Sequence, residues 1–385
     1  MCKWSRRGKS MEIKNIQKRV IAEIDLNALE YNFNKAPKPV CCVIKADAYG
    51  HGAVEVAKFL ENKGANYFAV SNIEEAIELR NNNIKTPILI LGYTPITCTK
   101  ELSKYNIDQC VFSYEFASSL NEEAKKNNVN INIHIKIDTG MGRIGFQYHD
   151  KHDELQEALA SCKLSNLNVV GIFTHFAKSD ENINEYTEYQ YECFTKAYKY
   201  LESQGIKFKI KHCANSAAIL DYPNYKLDMV REGIMLYGVN PTPNKHDLKH
   251  VMTLKSYISH IKTLNKGDYV SYNCLYEADK ETKIATIPIG YADGISRENT
   301  GLHVMINNKK CMIIGRVCMD QIMVEVEDAK VGDEVIVYGD GITVEEVAKY
   351  NNTNAYKVLC DVSRRVPRVY KYNGNIVAIR DELVK

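Results

Sequence analysis

Hydrophobic positions along the chain alternate between short apolar runs and stretches with helical spacing. Residues 40–44 form one apolar run, which predicts a buried strand. Apolar residues then recur at positions 53, 56, 57 and 60, the i, i+3, i+4, i+7 pattern of a helix. Comparable strand segments, with helical patterns between them, follow at residues 67–71, 87–91, 108–112, 131–138, 169–174, 208–213 and 228–231. The clearest helix covers residues 185–203 and is closed by Gly205.

About eight strands, each followed by a helix, over roughly 210 residues predict a (β/α)8 barrel, a fold of about 250 residues. An open doubly wound sheet is the alternative. We rank it lower because no glycine-rich turn of the GxGxxG type is present. Past about residue 250, short strands are separated by Gly-Asp turns at residues 267–268, 332–333 and 339–340, a pattern typical of a mainly β domain.

The predicted fold class is therefore α/β, with an N-terminal (β/α)8 barrel and a C-terminal mainly β domain. We predict an extension over residues 1–18, a barrel domain over residues 19–250 and a β domain over residues 251–385. The first strand, near residues 19–25, is a candidate for pairing with the second domain. The first ten residues are basic and no apolar run follows them, so we expect no signal peptide; Met11 is an alternative start to Met1.

Charge and cysteine content argue against several classes of partner. Lys plus Arg number 50 and Asp plus Glu number 48, a net charge of +2, so no electrostatic attraction to nucleic acid or to an anionic membrane is expected. No apolar run reaches the length of a membrane span. The 12 cysteines are scattered without metal-ligand spacing, which predicts reduced thiols in a cytoplasmic protein and no metal site.

Lys45 stands at the carboxyl end of the first predicted barrel strand, shortly before the turn Gly50-His51-Gly52. Barrel enzymes take their active-site residues from such strand ends. An ammonium group near a core loses hydration, which lowers its pKa and makes the amine a nucleophile. A lysine that merely extends from the strand end into solvent is the alternative.

Other predicted strand ends carry polar side chains that would meet at one face of the barrel. With Lys45, the set is Tyr49, Lys136, Asp138, Arg143, His175, Asn215, Ser216 and Arg231. Ser216 and Arg231 follow strands seven and eight, where barrels commonly bind a phosphate. A lysine nucleophile, a phosphate site and an aromatic ring together suit a lysine Schiff base with pyridoxal 5′-phosphate (PLP).

These motifs resemble those of the alanine racemases, PLP-dependent enzymes of fold type III. In chain order they are V-I-K-A-D-A-Y-G-H-G at residues 43–52, D-T-G-M-G-R at 138–143, T-H-F at 174–176, N-S at 215–216, R-E-G-I at 231–234, I-G-Y-A-D-G at 289–294, G-R-V-C-M-D at 315–320 and R-V-P-R at 365–368. They span both predicted domains. The resemblance implies interconversion of L-alanine and D-alanine, which supplies D-alanine for peptidoglycan.

The resemblance also implies a two-base mechanism. Lys45 would carry the cofactor and serve as one base, and Tyr291 would be the base on the opposite face of the substrate. Arg143, also implied to contact the substrate, is the family's candidate for the cation that favours the phenolate of that tyrosine. Arg231 would face the pyridine nitrogen; because a guanidinium does not give up its proton, the cofactor would be a weaker electron sink.

Further implied roles concern the cofactor ring, its phosphate and the substrate carboxylate. They are His175 against the ring, Tyr49, Ser216 and the backbone amides of Gly233 and Ile234 on the phosphate, and Met319 on the substrate carboxylate. Lys136 matches a family lysine that is often carbamylated. An unmodified lysine paired with Asp138 is the alternative.

In the family, the equivalents of Tyr291 and Met319 come from the partner subunit, so the resemblance implies a homodimer with shared active sites. One position departs from the family pattern. Arg364 stands where many members have a tyrosine that reaches the phosphate and narrows the substrate pocket. That difference leaves racemisation of serine or another small amino acid open.

Two other functions compete with racemisation. A fold-type III decarboxylase needs a different C-terminal motif with a catalytic cysteine, whereas Cys318 lies in the racemase-like G-R-V-C-M-D. A non-catalytic PLP-binding barrel lacks a β domain, whereas roughly 130 residues follow the predicted barrel here, enough for a domain of their own.

Overall fold

The computed structural model describes residues 18–150 and 152–384, so nearly all of the predicted extension, including Met1 and Met11, lies outside the described residues. The strands are β1 (Val20–Asp25), β2 (Val40–Val43), β3 (Tyr67–Val70), β4 (Ile88–Ile90), β5 (Ile107–Val111), β6 (Ile131–Asp138), β7 (Phe146–His149), β8 (His152–Asp153), β9 (Leu167–Phe173), β10 (Ile210–His212), β11 (Val230–Glu232), β12 (Met252–Tyr257), β13 (His260–Leu264), β14 (Tyr269–Val270), β15 (Tyr276–Glu277), β16 (Thr282–Ile287), β17 (His303–Ile306), β18 (Lys309–Ile314), β19 (Ile322–Glu325), β20 (Glu334–Tyr338), β21 (Arg368–Tyr372) and β22 (Asn375–Arg380).

The α-helices are α1 (Leu26–Phe33), α2 (Ala53–Asn62), α3 (Ile73–Asn81), α4 (Thr99–Lys104), α5 (Tyr114–Lys126), α6 (Leu155–Cys162), α7 (Glu185–Ser203), α8 (Ser216–Asp221), α9 (Val344–Tyr350) and α10 (Ala355–Cys360). The bounds of α7 are those that the hydrophobic pattern predicts. Within the part of the chain that the structure describes, no helix combines the length and the apolar character needed to cross a membrane.

Eight parallel strands form the barrel, in the order β10, β9, β6, β5, β4, β3, β2, β11. The two ends of this order are joined by backbone hydrogen bonds. Asp228 donates its N–H to the Lys211 carbonyl at 3.0 Å, and Arg231 donates to the Ala214 carbonyl at 2.9 Å. The predicted barrel is therefore confirmed. The open doubly wound sheet is excluded because such a sheet keeps two unjoined edges.

The second sheet is mainly antiparallel and has the order β13, β16, β19, β18, β17, β20, β12, β1, β21, β22. Strand β1 pairs antiparallel with β12 and parallel with β21. The first described strand therefore lies in the second sheet, and the chain then crosses to the barrel through α1 and returns after β11. The pairing expected for the first strand is observed, while the boundaries at residues 250 and 251 stay predictions.

Asn32 fixes the place where the chain leaves the barrel for the second sheet. Its buried side chain donates to the Leu236 carbonyl at 3.1 Å and to the Lys249 carbonyl at 2.7 Å, and it accepts from the Lys249 N–H at 2.9 Å. Apolar side chains of both domains also form one continuous core. The second domain is thus packed against the barrel rather than tethered to it.

Two helix starts have the sequence spacing that predicts a capping box, Ser71 with Glu74 and Thr343 with Glu346. The second pair forms that box at the start of α9. The prediction for the first pair is wrong, because Asn72 caps α3 by accepting from the Glu75 N–H at 2.9 Å. The Glu75 carboxylate instead accepts the Ser71 N–H at 2.8 Å and reaches the turn after Lys45.

Glu232 is a fully buried carboxyl group on β11. Neither of its carboxyl oxygens has a hydrogen-bond partner among residues 18–150 and 152–384. Burial raises the pKa of Glu232 to about 8, and the charge of Lys38 opposes that shift only in part. The folded protein therefore keeps this carboxyl group protonated at neutral pH.

This proton links stability to pH. The pKa of Glu232 is higher in the folded state than in the unfolded state. Its contribution to the free energy of unfolding is therefore complete below about pH 4.5. Between there and about pH 8 the free energy of unfolding falls by about 1.4 kcal/mol per pH unit. We expect the melting temperature of Glu232→Gln to rise relative to wild type as the pH increases from 5.5 to 8. Glu281→Gln, an exposed site, is the matched control and should show a constant difference. If the difference in melting temperature between Glu232→Gln and wild type did not change with pH, the protonated state of Glu232 would be contradicted.

Candidate active site

A cavity of about 610 Å³ opens at the carboxyl ends of the barrel strands. Ten of the predicted site residues line it: Lys45, Tyr49, Lys136, Arg143, His175, Asn215, Ser216, Arg231, Gly233 and Ile234. They come from opposite sides of the barrel and meet only because the parallel strands end at one face. Tyr291 and Met319 do not belong to this cavity.

The backbone after Lys45 makes a left-handed turn. Ala46, Asp47, Ala48 and Tyr49 all have φ between 51° and 54°, a conformation that costs a non-glycine residue about 1–2 kcal/mol each. The turn is closed by hydrogen bonds from the Ala48 N–H to the Ile44 carbonyl at 2.9 Å and from the Gly50 N–H to the Ala46 carbonyl at 3.0 Å. Such strain persists only where surrounding contacts hold it, and it is commonly found at functional sites.

The amine of Lys45 is poised for chemistry. Burial lowers its pKa, and the positive charge of Arg143 lowers it further. A larger fraction of the amine is therefore unprotonated at neutral pH than for a lysine in water. That state is the one that can act as a nucleophile or accept a proton.

An anion cradle lies beside the turn, between β10, β11 and the short helix that follows β11. The Ser216 hydroxyl accepts the N–H of Gly233 at 2.9 Å and of Met235 at 3.3 Å. A Cβ atom on Gly233 would lie 3.3 Å from the Tyr49 hydroxyl and 3.4 Å from the Ser216 hydroxyl. The glycine therefore leaves open a small space bounded by two hydroxyl groups, which suits a phosphate.

Arg231 is buried in the floor of the cavity and bonds only to uncharged acceptors in the contacts that the structure shows. Its guanidinium donates to the carbonyls of Thr174 at 2.8 Å, Cys213 at 2.8 Å and His212 at 3.1 Å. It also donates to Nδ1 of His212 at 3.0 Å. Burial lowers the pKa of Arg231 to about 10, so the group stays charged at neutral pH.

A buried chain of polar groups continues from Arg231 across the barrel. Because Arg231 only donates, Nδ1 of His212 must accept, and Nε2 of His212 carries the proton. That N–H donates to Nδ1 of His134 at 3.0 Å, which leaves the proton of His134 on Nε2, 3.5 Å from the Asp108 carboxylate. The Tyr67 hydroxyl donates to the same carboxylate. All of these hydrogen bonds are donated in the direction that leads from the Arg231 cation to the Asp108 anion.

Lys136 is buried beside this chain, and its amine donates to the Ile137 carbonyl at 3.0 Å. Burial lowers the pKa of Lys136 to about 7, although the nearby charge of Asp138 opposes the shift. Asp138 itself is engaged elsewhere: its carboxylate accepts the backbone N–H groups of residues 140–143 at 2.8–3.1 Å. This carboxylate shapes the loop that carries Arg143.

His175 follows β9 and lies against Arg231, with 3.4 Å between its Nδ1 and the guanidinium. Burial lowers the pKa of His175 well below its usual value, and the positive charge of Arg231 adds to the effect. Its carbonyl accepts a hydrogen bond from Gln190 at 3.4 Å, and the same glutamine accepts the Ala177 N–H at 2.8 Å. Helix α7 therefore fixes a neutral imidazole at the cavity.

Tyr291 and Met319 stand next to each other on the second domain, away from the cavity. Their side chains are exposed, at 40% for Tyr291 and 52% for Met319. The Tyr291 N–H donates to the Cys318 carbonyl at 3.0 Å, and a Cβ on Gly290 would lie 2.2 Å from the Met319 carbonyl oxygen. The glycine thus permits the two turns to meet. The guanidinium of Arg297 lies over the Tyr291 ring of the same chain, 5.9 Å from its centroid.

Family models of known proteins match both domains of this chain. The family described as "Alanine racemase, N-terminal domain" matches residues 24–241, and "Alanine racemase, C-terminal domain" matches residues 251–370. Alanine racemase 1 of Clostridium acetobutylicum is 44% identical over 379 residues, which cover 94% of this chain and 98% of that protein. The chain belongs to the alanine racemase family.

Other members of the alanine racemase family agree over nearly the whole length. The alanine racemase of Clostridium tetani is 46% identical over 381 residues, covering 94% of this chain and 98% of that protein. The solved alanine racemase structure from Clostridium difficile 630 matches with a TM-score of 0.92 at 44% identity, over 96% of this chain and 100% of that one. The Bacillus anthracis structure with bound L-Ala-P matches with a TM-score of 0.90 at 34% identity, over 96% of this chain and 99% of that one.

Alanine racemase family enzymes depend on PLP, and the cavity of this chain suits such a group. A pyridine ring with an aldehyde and a phosphate needs an amine, an anion cradle and a wall for the ring. Lys45, the space at Gly233 and the neutral ring of His175 supply groups of these three kinds in one cavity. The positive charges of Arg143 and Arg231 complement the phosphate anion.

Sequence reasoning missed four aromatic residues of this cavity, namely Tyr93, Phe173, Phe176 and Tyr356. Tyr356 on α10 lines it from the second domain, with its ring 5.9 Å from that of Tyr49. Phe173 ends β9 and stacks on His212 with 4.8 Å between ring centroids. The strand-end position of Phe173 was a usable signal. Nothing local marks Tyr356, because a helix position gives no information about a cavity in another domain.

Arg364 does not line the Lys45 cavity of its own chain. Its side chain is 72% exposed, lies 3.4 Å from the Glu382 carboxylate and faces a separate, more open cleft of about 990 Å³. That cleft is the larger of the two but contains no other predicted site residue. In this chain the wall of the Lys45 cavity is formed by Tyr356 instead, so the difference at Arg364 does not alter it directly.

The polar chain behind Arg231 makes a spectroscopic prediction. Burial and the Arg231 charge lower the pKa of His212 well below 6.5, so we expect a neutral ring with its proton on Nε2 from pH 5 to pH 8. Nitrogen-15 NMR of the histidine side chains measures this directly, and His212→Gln assigns the signal. A protonated His212, or one with its proton on Nδ1, would overturn the assigned direction of the chain.

Proposed function

We propose that the chain is a PLP-dependent alanine racemase that removes a proton from one face of the substrate Cα and returns a proton to the other. The observation that carries the proposal is the cavity in which a lysine amine of lowered pKa, an anion cradle and a buried arginine stand together at the barrel mouth. Membership of the alanine racemase family supports the same activity.

PLP, when bound, supplies electron withdrawal that makes the Cα–H of an attached amino acid acidic. The residues that would hold it divide by chemistry: Lys45 at the aldehyde, Tyr49, Ser216 and the N–H groups of Gly233 and Ile234 at the phosphate, His175 against the ring and Arg231 at the ring nitrogen. The support for this division is that each group stands in the same cavity with matching donor or acceptor character.

Lys45 would act as one base. Its lowered pKa leaves free amine available at neutral pH, and the strained turn fixes where that amine lies. Arg231 would limit how much negative charge the bound cofactor takes up, because a charged guanidinium bonded to carbonyl oxygens and His212 has no proton to give. Weak charge uptake favours simple proton exchange over other reactions of the same carbon.

Tyr291 would be the second base, supplied by a partner subunit along with Met319 and its contact to the substrate carboxylate. In one chain both side chains are exposed and lie outside the Lys45 cavity, so a single chain offers only one base to a substrate there. Two further aromatic side chains of the second domain, Tyr269 and Tyr272, are also largely exposed. A homodimer with shared sites would cover such a surface and complete the pair of bases.

Lys136 would carry a carbamate formed with carbon dioxide. Its support is the buried amine with a pKa of about 7, since carbamylation needs the uncharged amine. The added negative charge would face Arg143, which contacts substrate in this proposal. A carbon-13 carbamate resonance after labelled bicarbonate, absent in Lys136→Ala, tests it.

The racemase activity is tested with L-alanine in deuterated water. We expect D-alanine labelled at Cα, and loss of that activity in Lys45→Ala. Tyr291→Phe should suppress proton removal from L-alanine more than from D-alanine, because the two bases act on opposite faces. Release of carbon dioxide, or label without inversion, would exclude the racemase. Comparing alanine, serine and ornithine as substrates defines specificity.

Shared sites make a stoichiometric prediction. In a dimer of Lys45→Ala with Tyr291→Phe, one site loses both bases and the other keeps both. Random reassociation of the two inactive variants should therefore recover about a quarter of the wild-type activity. Mixing Lys45→Ala with the double variant Lys45→Ala/Tyr291→Phe is the matched control and should recover none. If the first mixture recovers no activity although sedimentation shows that dimers have formed, active sites shared between the subunits would be contradicted.

A further inference from the structure

Asp47 is the only acidic side chain within the left-handed turn, and it is held from three directions. Its Oδ1 accepts the Ala53 N–H at the start of α2 at 2.8 Å. Arg380, at the end of β22, donates to the same oxygen at 3.3 Å. Arg368 lies 4.0 Å from Oδ2. The carboxylate therefore joins the turn after Lys45 to the last strands of the second domain, more than 300 residues away along the chain.

Arg380 is itself braced on both sides of the turn. Its guanidinium lies 2.8 Å from the Glu78 carboxylate on α3 and 2.7 Å from the Glu382 carboxylate. Helix α3 also carries Glu75, which accepts the Ala46 N–H at 2.7 Å. The barrel and the second domain thus hold the strained turn between them, through charge-assisted bonds.

Other C-terminal groups contact the turn through its backbone. Arg368 donates from Nε to the Gly50 carbonyl at 3.0 Å, and the Tyr370 hydroxyl donates to the His51 carbonyl at 2.9 Å. Both side chains are buried, and Arg368 also donates to the backbone carbonyls of Val362 and Ser363, so their loss would disturb the domain contact as a whole. Arg380 is only half-buried. Unlike Arg368 and Tyr370, it donates to the turn at the Asp47 side chain and not at a backbone carbonyl.

We infer that Arg380 is a positioning residue for Lys45, acting through Asp47 to keep the turn in its left-handed conformation. The inference rests on the proposed role of Lys45. Left-handed residues return to ordinary conformations unless contacts hold them. Without Arg380, the turn would open more often and the amine would spend less time aimed into the cavity. The C-terminal strand pair would then be part of the catalytic geometry and not only of the fold.

Hydrogen exchange of the full chain, without substrate, measures turn opening directly. In Arg380→Met, we expect the amides of residues 48–52 to exchange about tenfold faster, with β4 and β5 unchanged. After PLP is removed with hydroxylamine, competitive acetylation of Lys45 across pH should show a changed midpoint, because the amine samples a more hydrated position. Arg380→Lys should restore part of both effects. These readouts do not depend on racemase activity, so they separate failure of this inference from failure of the proposed function.

Two matched variants define specificity. Lys371→Met removes a cation of the same strand pair whose partner is Glu23, at 2.6 Å, and should leave turn exchange and Lys45 acetylation unchanged. Arg365→Met removes an arginine that lies 3.2 Å from Asp293, and should speed exchange at residues 290–294 instead. With PLP and alanine, Arg380→Met should lower kcat about tenfold and change KM by less than about threefold.

The coupling through Asp47 is tested by a double variant. Asp47→Asn keeps an acceptor for the Ala53 N–H but removes the charge, so adding Arg380→Met to it should have little further effect on turn exchange. Additive effects of the two substitutions would overturn the inference, as would unchanged exchange at residues 48–52 in a folded Arg380→Met protein. If Arg380→Met does not fold, Asp47→Asn alone carries the test, with the same expected acceleration.

Discussion

The left-handed turn after Lys45 is a backbone constraint on which both domains depend. Four consecutive residues with side chains adopt positive φ there, and Gly50 follows at φ 82°. A Cβ at Gly50 would lie 2.2 Å from the Leu359 carbonyl oxygen, so the second domain can approach only because this position has no side chain. The same close approach brings Tyr356 to the cavity. This local conformation therefore determines the position of Lys45, the contact between the two domains and one wall of the cavity.

Around the cavity, positively charged side chains outnumber the carboxylates that could neutralise them. Lys45, Arg143 and Arg231 line it, and each lowers the pKa of a neighbouring basic group. That arrangement is costly for an empty pocket and favourable for one that receives an anion. The directed bonds from Arg231 through His212 and His134 to Asp108 place the compensating negative charge at a distance, behind the ring site. Electrostatics thus favours a phosphorylated ligand at the mouth and a fixed cation at its floor.

The turn that carries Tyr291 is built on a second buried anion. Asp293 accepts two hydrogen bonds from Arg19 and lies 3.2 Å from Arg365, and its own backbone carbonyl accepts the Ser363 N–H at 3.1 Å. The segment between Leu359 and Arg368 therefore contacts both the turn after Lys45 and the turn that carries Tyr291 in one chain. In a dimer with shared sites, these two turns would serve different active sites.

The sequence by itself determined the barrel, the position of Lys45 at a strand end and the polar residues that follow the other strands. These features depend on hydrophobic period and on the rule that parallel strands end at one face, both local in origin. The shared motifs determined the family. The handedness of the turn, the engagement of Asp138 by backbone N–H groups and the outward orientation of Arg364 were decided only by tertiary structure. So were the contacts of Asp47 with Arg380 and the place of Tyr356, since each joins residues far apart in the chain, and no local periodicity records such distances.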